Sequence, residues 1–353
     1  MKDNGSTGRI LFLWVVAAIL FASGCSTSAP GTTRTKGVVL RVDDDLASFA
    51  DWPRVAAASG INTIGTHVFP KDVLAFLASE KGHAFLDSCK KYDIQVEHQL
   101  HAMGELLPRD LFSMDSTMYR MDENGKRNPD FNCCAHSEKA LNIIAGNAAA
   151  YAKKLPSTNH RYYFWLDDGA PTCQCELCAS LTPGEQALLI ENRMIEAIRK
   201  VDPHALLAHL AYFNTMDAPV KVKPASGIFL EFAPIFREWD RPISDPDAPG
   251  SGACPTPHAK YLDYLAENLK VFPAQTAMVL EYWLDVSLAS GWRKPAGELP
   301  WRRDICESDV KTYMDYGIRH ITSFAVYMDS TYFSTYPDAA RWLKEYGAIL
   351  NAE

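Results

Sequence analysis

Tyr162-Tyr163-Phe164-Trp165-Leu166-Asp167-Asp168-Gly169 is an apolar, aromatic run that ends on two adjacent carboxylates and a glycine. A strand buried on both faces reads this way, and parallel α/β barrels build their sites from side chains delivered at the C-terminal ends of such strands. Outward from this run, short apolar segments alternate with helical patterns, the signature of βαβ units. Strands are predicted over 38–42, 63–68, 95–101, 162–166, 206–212, 228–232, 278–283 and 321–327. Helices are predicted near 47–59, 71–92, 137–154, 183–201, 257–271, 309–316 and 337–350. The segment 215–226 is short, carries Pro219 and Pro224, and reads as a turn as readily as a helix. Because each right-handed crossover puts its helix outside the sheet, eight such units close most economically as a (β/α)8 TIM barrel. The rival, a doubly wound open sheet, would bind nucleotides through a Gly-rich turn after the first strand, and that fingerprint is missing.

The chain has 353 residues, 47% of them hydrophobic, which suits one barrel of about 250 residues with long loops. A formal charge of -8 leaves no basic face, so nucleic acid is not an expected partner. Gly-x-Ser-x-Gly and Walker patterns are also missing, which argues against a serine-nucleophile hydrolase and a P-loop enzyme. Lys2 and Arg9 precede an apolar stretch over 10–22 with the length of a signal h-region. Ala22-Ser23-Gly24-Cys25 then reads as a bacterial lipobox in which Cys25 is lipidated, a plain signal peptide being the alternative. Residues 1–25 are therefore expected to be a leader, 26–36 a flexible tether rich in Ser, Thr, Pro and Gly, and 37–353 the barrel domain. That places the domain in a bacterial cell envelope, lipid-anchored at the outer membrane or in the periplasm.

Setting Cys25 aside leaves eight cysteines, and an even count in an exported protein favours disulfides. The cluster Cys173-x-Cys175-x2-Cys178 could instead hold zinc, with Cys133 or Cys134 as fourth ligand. Either crosslink would be structural and would pin the loop after the carboxylate strand to the loop before the preceding helix.

The predicted strand ends crowd acids and aromatics at one rim. Glycoside cleavage needs a proton donor for the leaving oxygen and a second group that stabilises the oxocarbenium-like centre. Asp167, Asp168, Glu231 and Glu281 are the catalytic candidates, and strand alternation sends Asp167 and Asp168 to opposite sides unless it relaxes beyond the strand end. Arg41, His67, His98, His101, Tyr212, Asn214, Tyr282, Trp283, Asp285 and Tyr327 are the candidates for substrate binding. A catalytic metal held by His67, His98 and His101 is the less favoured reading, because His98 and His101 do not share strict alternate spacing. No cofactor is expected.

At Trp165-Leu166-Asp167-Asp168-Gly169 with Cys173-Gln174-Cys175-Glu176-Leu177-Cys178, then Leu210-Ala211-Tyr212, Glu231-Phe232-Ala233-Pro234 and Leu280-Glu281-Tyr282-Trp283, the chain resembles a bacterial family, domain of unknown function 4838, related to glycoside hydrolase family 163. The resemblance implies an exported barrel that cleaves N-glycan cores as an endo-β-N-acetylglucosaminidase. It also implies that one of Asp167 and Asp168 orients a substrate acetamido group as internal nucleophile while the other protonates the leaving oxygen. Glu281 would be the nucleophile of a double displacement instead. The expected function is thus a glycoside hydrolase acting on N-acetylhexosamine-containing glycans. The alternatives are a non-catalytic glycan-binding surface lipoprotein and a metal-dependent hydrolase.

Overall fold

The computed structural model describes Met1 and residues 34–352, so the leader, Cys25 and most of the tether lie outside the described residues. Eight strands form the sheet: β1 (Lys36–Arg41), β2 (Thr63–His67), β3 (Gln95–His101), β4 (Arg161–Trp165), β5 (Leu206–Tyr212), β6 (Ile228–Ala233), β7 (Met278–Glu281) and β8 (His320–Phe324). Each pairs in parallel with its neighbour in sequence, and β8 closes on β1. This is the expected (β/α)8 barrel. No helix among the described residues is long and apolar enough to cross a membrane.

Strand alternation sorts the side chains into two sets. Val39, Tyr163, Trp165, Ala208, Phe229, Ala233, Met278, Leu280 and Phe324 form one buried cluster inside the barrel. Their sequence neighbours, such as Val38, Leu40, Phe164, Leu207, Phe232 and Val279, join the larger cluster between sheet and helices. The interior is tight: a Cβ on Gly65 would sit 3.2 Å from both Val39 and Gln99, so β2 takes glycine there. It is also polar at its lower end, where the buried Arg161 guanidinium lies 3.8 Å from the Phe229 ring centroid and donates to the Thr276 carbonyl at 2.9 Å. Stacking and hydrogen bonding offset part of the cost of burying that charge.

The helices refine the expectation at several points, among them the helix predicted near 309–316, which spans Arg303–Asp315. The stretch 71–92 is two helices, Pro70–Leu77 and Glu80–Lys91. Ser79 starts the second, its Oγ accepting from the Gly82 amide at 3.1 Å, and Gly82 packs so closely that a Cβ would lie 2.0 Å from the Phe76 carbonyl oxygen. The first helix shrinks to Trp52–Ala58, and before it Val42–Leu46 forms a separate π turn that carries Asp43, Asp44 and Asp45. Segment 215–226 is not a helix: side chains of the neighbouring helix Pro183–Ile198 satisfy its backbone instead. Glu185 Oε1 accepts the Val220 amide at 3.0 Å, while Asn192 serves the Ala225 amide and the Lys223 carbonyl.

Candidate active site

A cavity of about 500 Å3 opens at the C-terminal end of the barrel. Trp165, Leu280 and Phe324, the last inward-facing residues of their strands, form its apolar base together with Leu210, which lies one inward step before Tyr212 on β5. Arg41, His67, His101, Asp167, Asp168, Tyr212, Tyr282, Asp285, Trp292 and Tyr327 line it as well. Of the fourteen residues named for catalysis or substrate binding, nine are among these lining residues, Asp167 and Asp168 both included.

The adjacent carboxylates have different surroundings. Asp167 Oδ2 accepts from Arg109 Nη2 and from the Asn132 amide, each at 2.5 Å, and its own amide donates to Asn132 Oδ1 at 3.0 Å. These hydrogen bonds fix its orientation. Asp168 forms no ion pair among the described residues. Its carboxylate faces the Tyr212 hydroxyl and, after burial, is the main reason that phenol is pushed above its ordinary pKa. Both carboxylates reach the cavity because the chain leaves regular strand geometry after Trp165, so the strict alternation of the sequence reading relaxes at this turn.

His67 and His101 each hydrogen-bond through Nδ1 to a backbone carbonyl, Gln99 and Leu166, both at 2.7 Å. Those carbonyls require Nδ1 to carry a proton, and in neutral His67 this leaves Nε2 as an acceptor. Burial, with His101 nearby, lowers the His67 pKa to about 3, so it is neutral. His98 departs from the sequence reading: it has the opposite strand parity, is buried against Thr66 Oγ1 at 2.7 Å, and is absent from the cavity lining. The three histidines therefore do not form one metal site. Arg41 lines the cavity and holds Asp43 in a bidentate pair, with contacts of 2.7 and 3.1 Å.

The two glutamates also stand apart from the cavity. Glu231 is wholly buried inside the barrel beneath Trp165, whose Nε1 donates to Oε2 at 2.7 Å, and Oε1 has no partner among the described groups. Burial raises its pKa well above the ordinary carboxylate value. Glu231→Gln keeps the acceptor for the indole and is expected to change stability at pH 7 by less than about 1 kcal/mol, whereas Glu231→Leu orphans a buried N–H at a cost of about 1–3 kcal/mol in urea unfolding. Glu281 has outward parity and is tied to Arg237 Nη1 at 2.9 Å and the Tyr313 hydroxyl at 2.5 Å, between sheet and helix. It cannot reach a sugar in the barrel mouth, so the double-displacement role considered for it has no geometric basis.

Asp285 is the third cavity carboxylate. Its Oδ1 caps the turn Val286–Ala289 by accepting from Leu288 N at 3.1 Å and Ser287 Oγ at 2.6 Å. Burial raises its pKa to about 6. The folded state therefore holds this proton more tightly than the unfolded chain does, and the contribution to stability falls as pH rises from about 4 through 6. Asp285→Asn keeps the cap but cannot ionise, so the variant is expected to lose less stability than the parent between pH 4 and 7 in parallel denaturant titrations. Equal losses would contradict the assignment.

Asn214 and Trp283 lie off the main cavity. Asn214 donates to the Ala170 carbonyl at 3.1 Å, and Trp283 donates its indole N–H to Asp309 at 2.9 Å. Trp283 instead lines a second, largely apolar cleft of about 520 Å3 with Phe236, Trp239, Trp292 and Trp301. The two clefts share Ile235, Tyr282, Asp285 and Trp292, so they are neighbours along one surface. Sequence reading missed Arg109, Asn132 and Trp292, which sit in loops where no periodicity marks direction. Elsewhere in the segment 104–135, which carries Arg109 and Asn132, polar side chains are used within the loop: Arg120 pairs with Asp130, and Asp122 accepts the Asn124 and Lys126 amides.

None of the eight described cysteines is in a disulfide. Cys134, Cys173, Cys175 and Cys178 converge behind the Asp167 loop, while Cys133 is buried separately. This corrects the disulfide expectation and narrows the candidate fourth thiol to Cys134.

The sequence profile of a family described as a domain of unknown function (DUF4838) matches residues 74–336. The chain belongs to that family. No curated protein matches the sequence. Among solved structures, the family 20 catalytic modules of the pneumococcal exo-β-D-N-acetylglucosaminidase StrH are similar at TM-score 0.52 and 9% identity, over 91% of this chain and 85% of that one. A β-galactosidase from the psychrophilic Marinomonas ef1 is similar at TM-score 0.50 and 11% identity, over 90% of this chain and 59% of that one. At such identities the DUF4838 chain shares the barrel fold with these hydrolases, and chemistry has to be argued from its own site.

Proposed function

We propose that this DUF4838 protein is a glycoside hydrolase that cleaves N-acetylhexosamine-containing glycans, acting as an endo-β-N-acetylglucosaminidase akin to glycoside hydrolase family 163. The observation that carries the reading is the unequal carboxylate pair: Asp167 locked by Arg109 and Asn132, Asp168 without an ion pair among the described residues and facing Tyr212, both open to one aromatic cavity. In this scheme Asp168 gives its proton to the leaving glycosidic oxygen while the acetamido carbonyl oxygen attacks C1. Asp167 accepts the acetamido N–H and stabilises the positive charge of the resulting oxazolinium ring. The Tyr212 hydroxyl steadies the acetamido oxygen, and water then opens the ring with Asp168 taking back a proton. Such substrate assistance is a recognised exception to the two-carboxylate scheme.

Trp165, Tyr282 and Phe324 offer faces for sugar rings, and the neutral His67 offers an acceptor for a hydroxyl. The adjacent tryptophan-rich cleft supports an extended substrate and internal cleavage, because a single sugar would leave it unused. The test is turnover by the purified mature chain on N-glycoproteins and aryl glycosides. Cleavage restricted to N-acetylhexosaminides supports the proposal. Glycan binding without turnover would make the protein a surface binder instead.

We take its place of action to be the bacterial envelope, with a lipid on Cys25. Cys25→Ala is expected to abolish incorporation of labelled palmitate and to release the protein from the membrane fraction; labelling that persists would contradict the anchor.

A further inference from the structure

Four thiols from two loops meet behind the candidate site. Cys134 closes the loop 104–135, and Cys173, Cys175 and Cys178 belong to the loop after β4. Their Sγ atoms all lie within 4.8 Å of one another, with Cys134 to Cys175 at 3.7 Å and Cys134 to Cys178 at 3.9 Å. A disulfide needs sulfurs about 2.05 Å apart, so these are not bonded pairs. A tetrahedron of thiolates at Zn–S of about 2.3 Å has edges of about 3.8 Å, which the two measured separations match.

We propose that Cys134, Cys173, Cys175 and Cys178 bind one structural zinc ion. The surroundings supply what a tetrathiolate with net negative charge requires: N–H donors to sulfur. The Met121 amide donates to Cys173 Sγ at 3.3 Å, Arg127 Nη1 lies 3.7 Å from the same sulfur, and His136 Nδ1 lies 3.3 Å from Cys178 Sγ. Donors of this kind orient thiolates and offset their charge. The Cys178 and Ala179 amides both return to the Cys175 carbonyl, folding Cys-x2-Cys into the tight turn that aims two sulfurs at one point. Gln186 braces the loop further by bonding the Cys173 amide and carbonyl and the Cys178 carbonyl. All four protein positions are filled by sulfur, so the ion has no open coordination site and its role is to hold structure.

What it holds is the join between two loops. Asn132, two residues before Cys134, supplies the amide that grips Asp167, and its side chain bonds the Asp167 amide and the Pro171 carbonyl. The zinc ion thereby fixes the residue that orients Asp167, and only this consequence rests on the proposed function.

The test is metal analysis of the purified full chain together with cobalt substitution. The proposal expects one zinc per chain, and after growth on cobalt the intense visible ligand-field and near-ultraviolet thiolate charge-transfer bands of a tetrahedral tetrathiolate site. Cys133→Ser is expected to keep the metal stoichiometry, and Cys175→Ser to lose zinc or fail to accumulate. Zinc at trace level with all four thiols titrating freely in the native protein, a disulfide among the four by mass spectrometry, or iron in place of zinc would each overturn it. None of these readouts requires activity, so they stand whether or not the chain hydrolyses glycans.

Discussion

Asp168→Asn is expected to lower kcat/KM on an N-acetylhexosaminide by about 10²–10⁴-fold, the usual worth of a positioned general acid. The substitution is nearly isosteric and removes no ion pair, because Asp168 has none among the described residues. Unfolding in urea should therefore stay within about 0.5 kcal/mol of the parent, as for surface changes away from buried networks. Loss of rate with unchanged KM would mark the carboxyl as a group used in the transition state rather than in binding. An aryl glycoside with a leaving group that needs no proton should recover part of the loss, since protonation then matters less. Asp167→Asn should fail differently. It leaves Arg109 without its counter-charge and should remain slow with every leaving group.

Arg237→Met should produce the largest loss of stability. Arg237 is wholly buried, and its Nη1 donates to Glu281 at 2.9 Å and to Asp309 at 2.7 Å while Nη2 donates to the Arg241 carbonyl at 2.9 Å. Asp309 also accepts from the Trp283 indole and the Ile243 amide, so one cation organises a network linking β7, its following residues and the helix Arg303–Asp315. Removing the cation strands two buried carboxylates, which costs about 3–5 kcal/mol where such pairs have been broken. Urea unfolding at pH 7 reads the loss directly. Burial pushes the Glu281 pKa up to about 7 even with Arg237 beside it, so losing the guanidinium raises it further. The raised folded pKa makes the variant relatively more stable as pH falls below 7, and part of the loss should return by pH 5. A variant as stable as the parent at pH 7 would show that the network contributes nothing.

The barrel was legible in the sequence because most strands are short apolar runs between helical periods, and closure follows from handedness. The strand-end carboxylates Asp167 and Asp168 were legible for the same reason. What the pattern could not give is direction. Glu281 and Leu280 are neighbours in a strand, and one residue of parity decides which enters the cavity. His98 failed by the same single step between Glu97 and Gln99. Glu231 has the inward parity but lies one layer too deep, under Trp165. The loop residues Arg109, Asn132 and Trp292 carried no signal at all, since their positions follow from contacts between segments far apart in the chain. The cysteine spacing did carry one, but only the fold distinguishes Cys134 from its neighbour Cys133.

The central claim, that Asp167 and Asp168 hydrolyse a glycosidic bond with help from the substrate's own acetamido group, is tested most directly by binding a thiazoline analogue of the cyclised N-acetylhexosamine. The account predicts competitive inhibition of turnover, with crystallographic density placing the bicyclic ring between Asp167, Asp168 and Tyr212. An active enzyme that ignores the thiazoline, and is trapped instead as a covalent 2-fluoroglycosyl ester on a carboxylate, would contradict it.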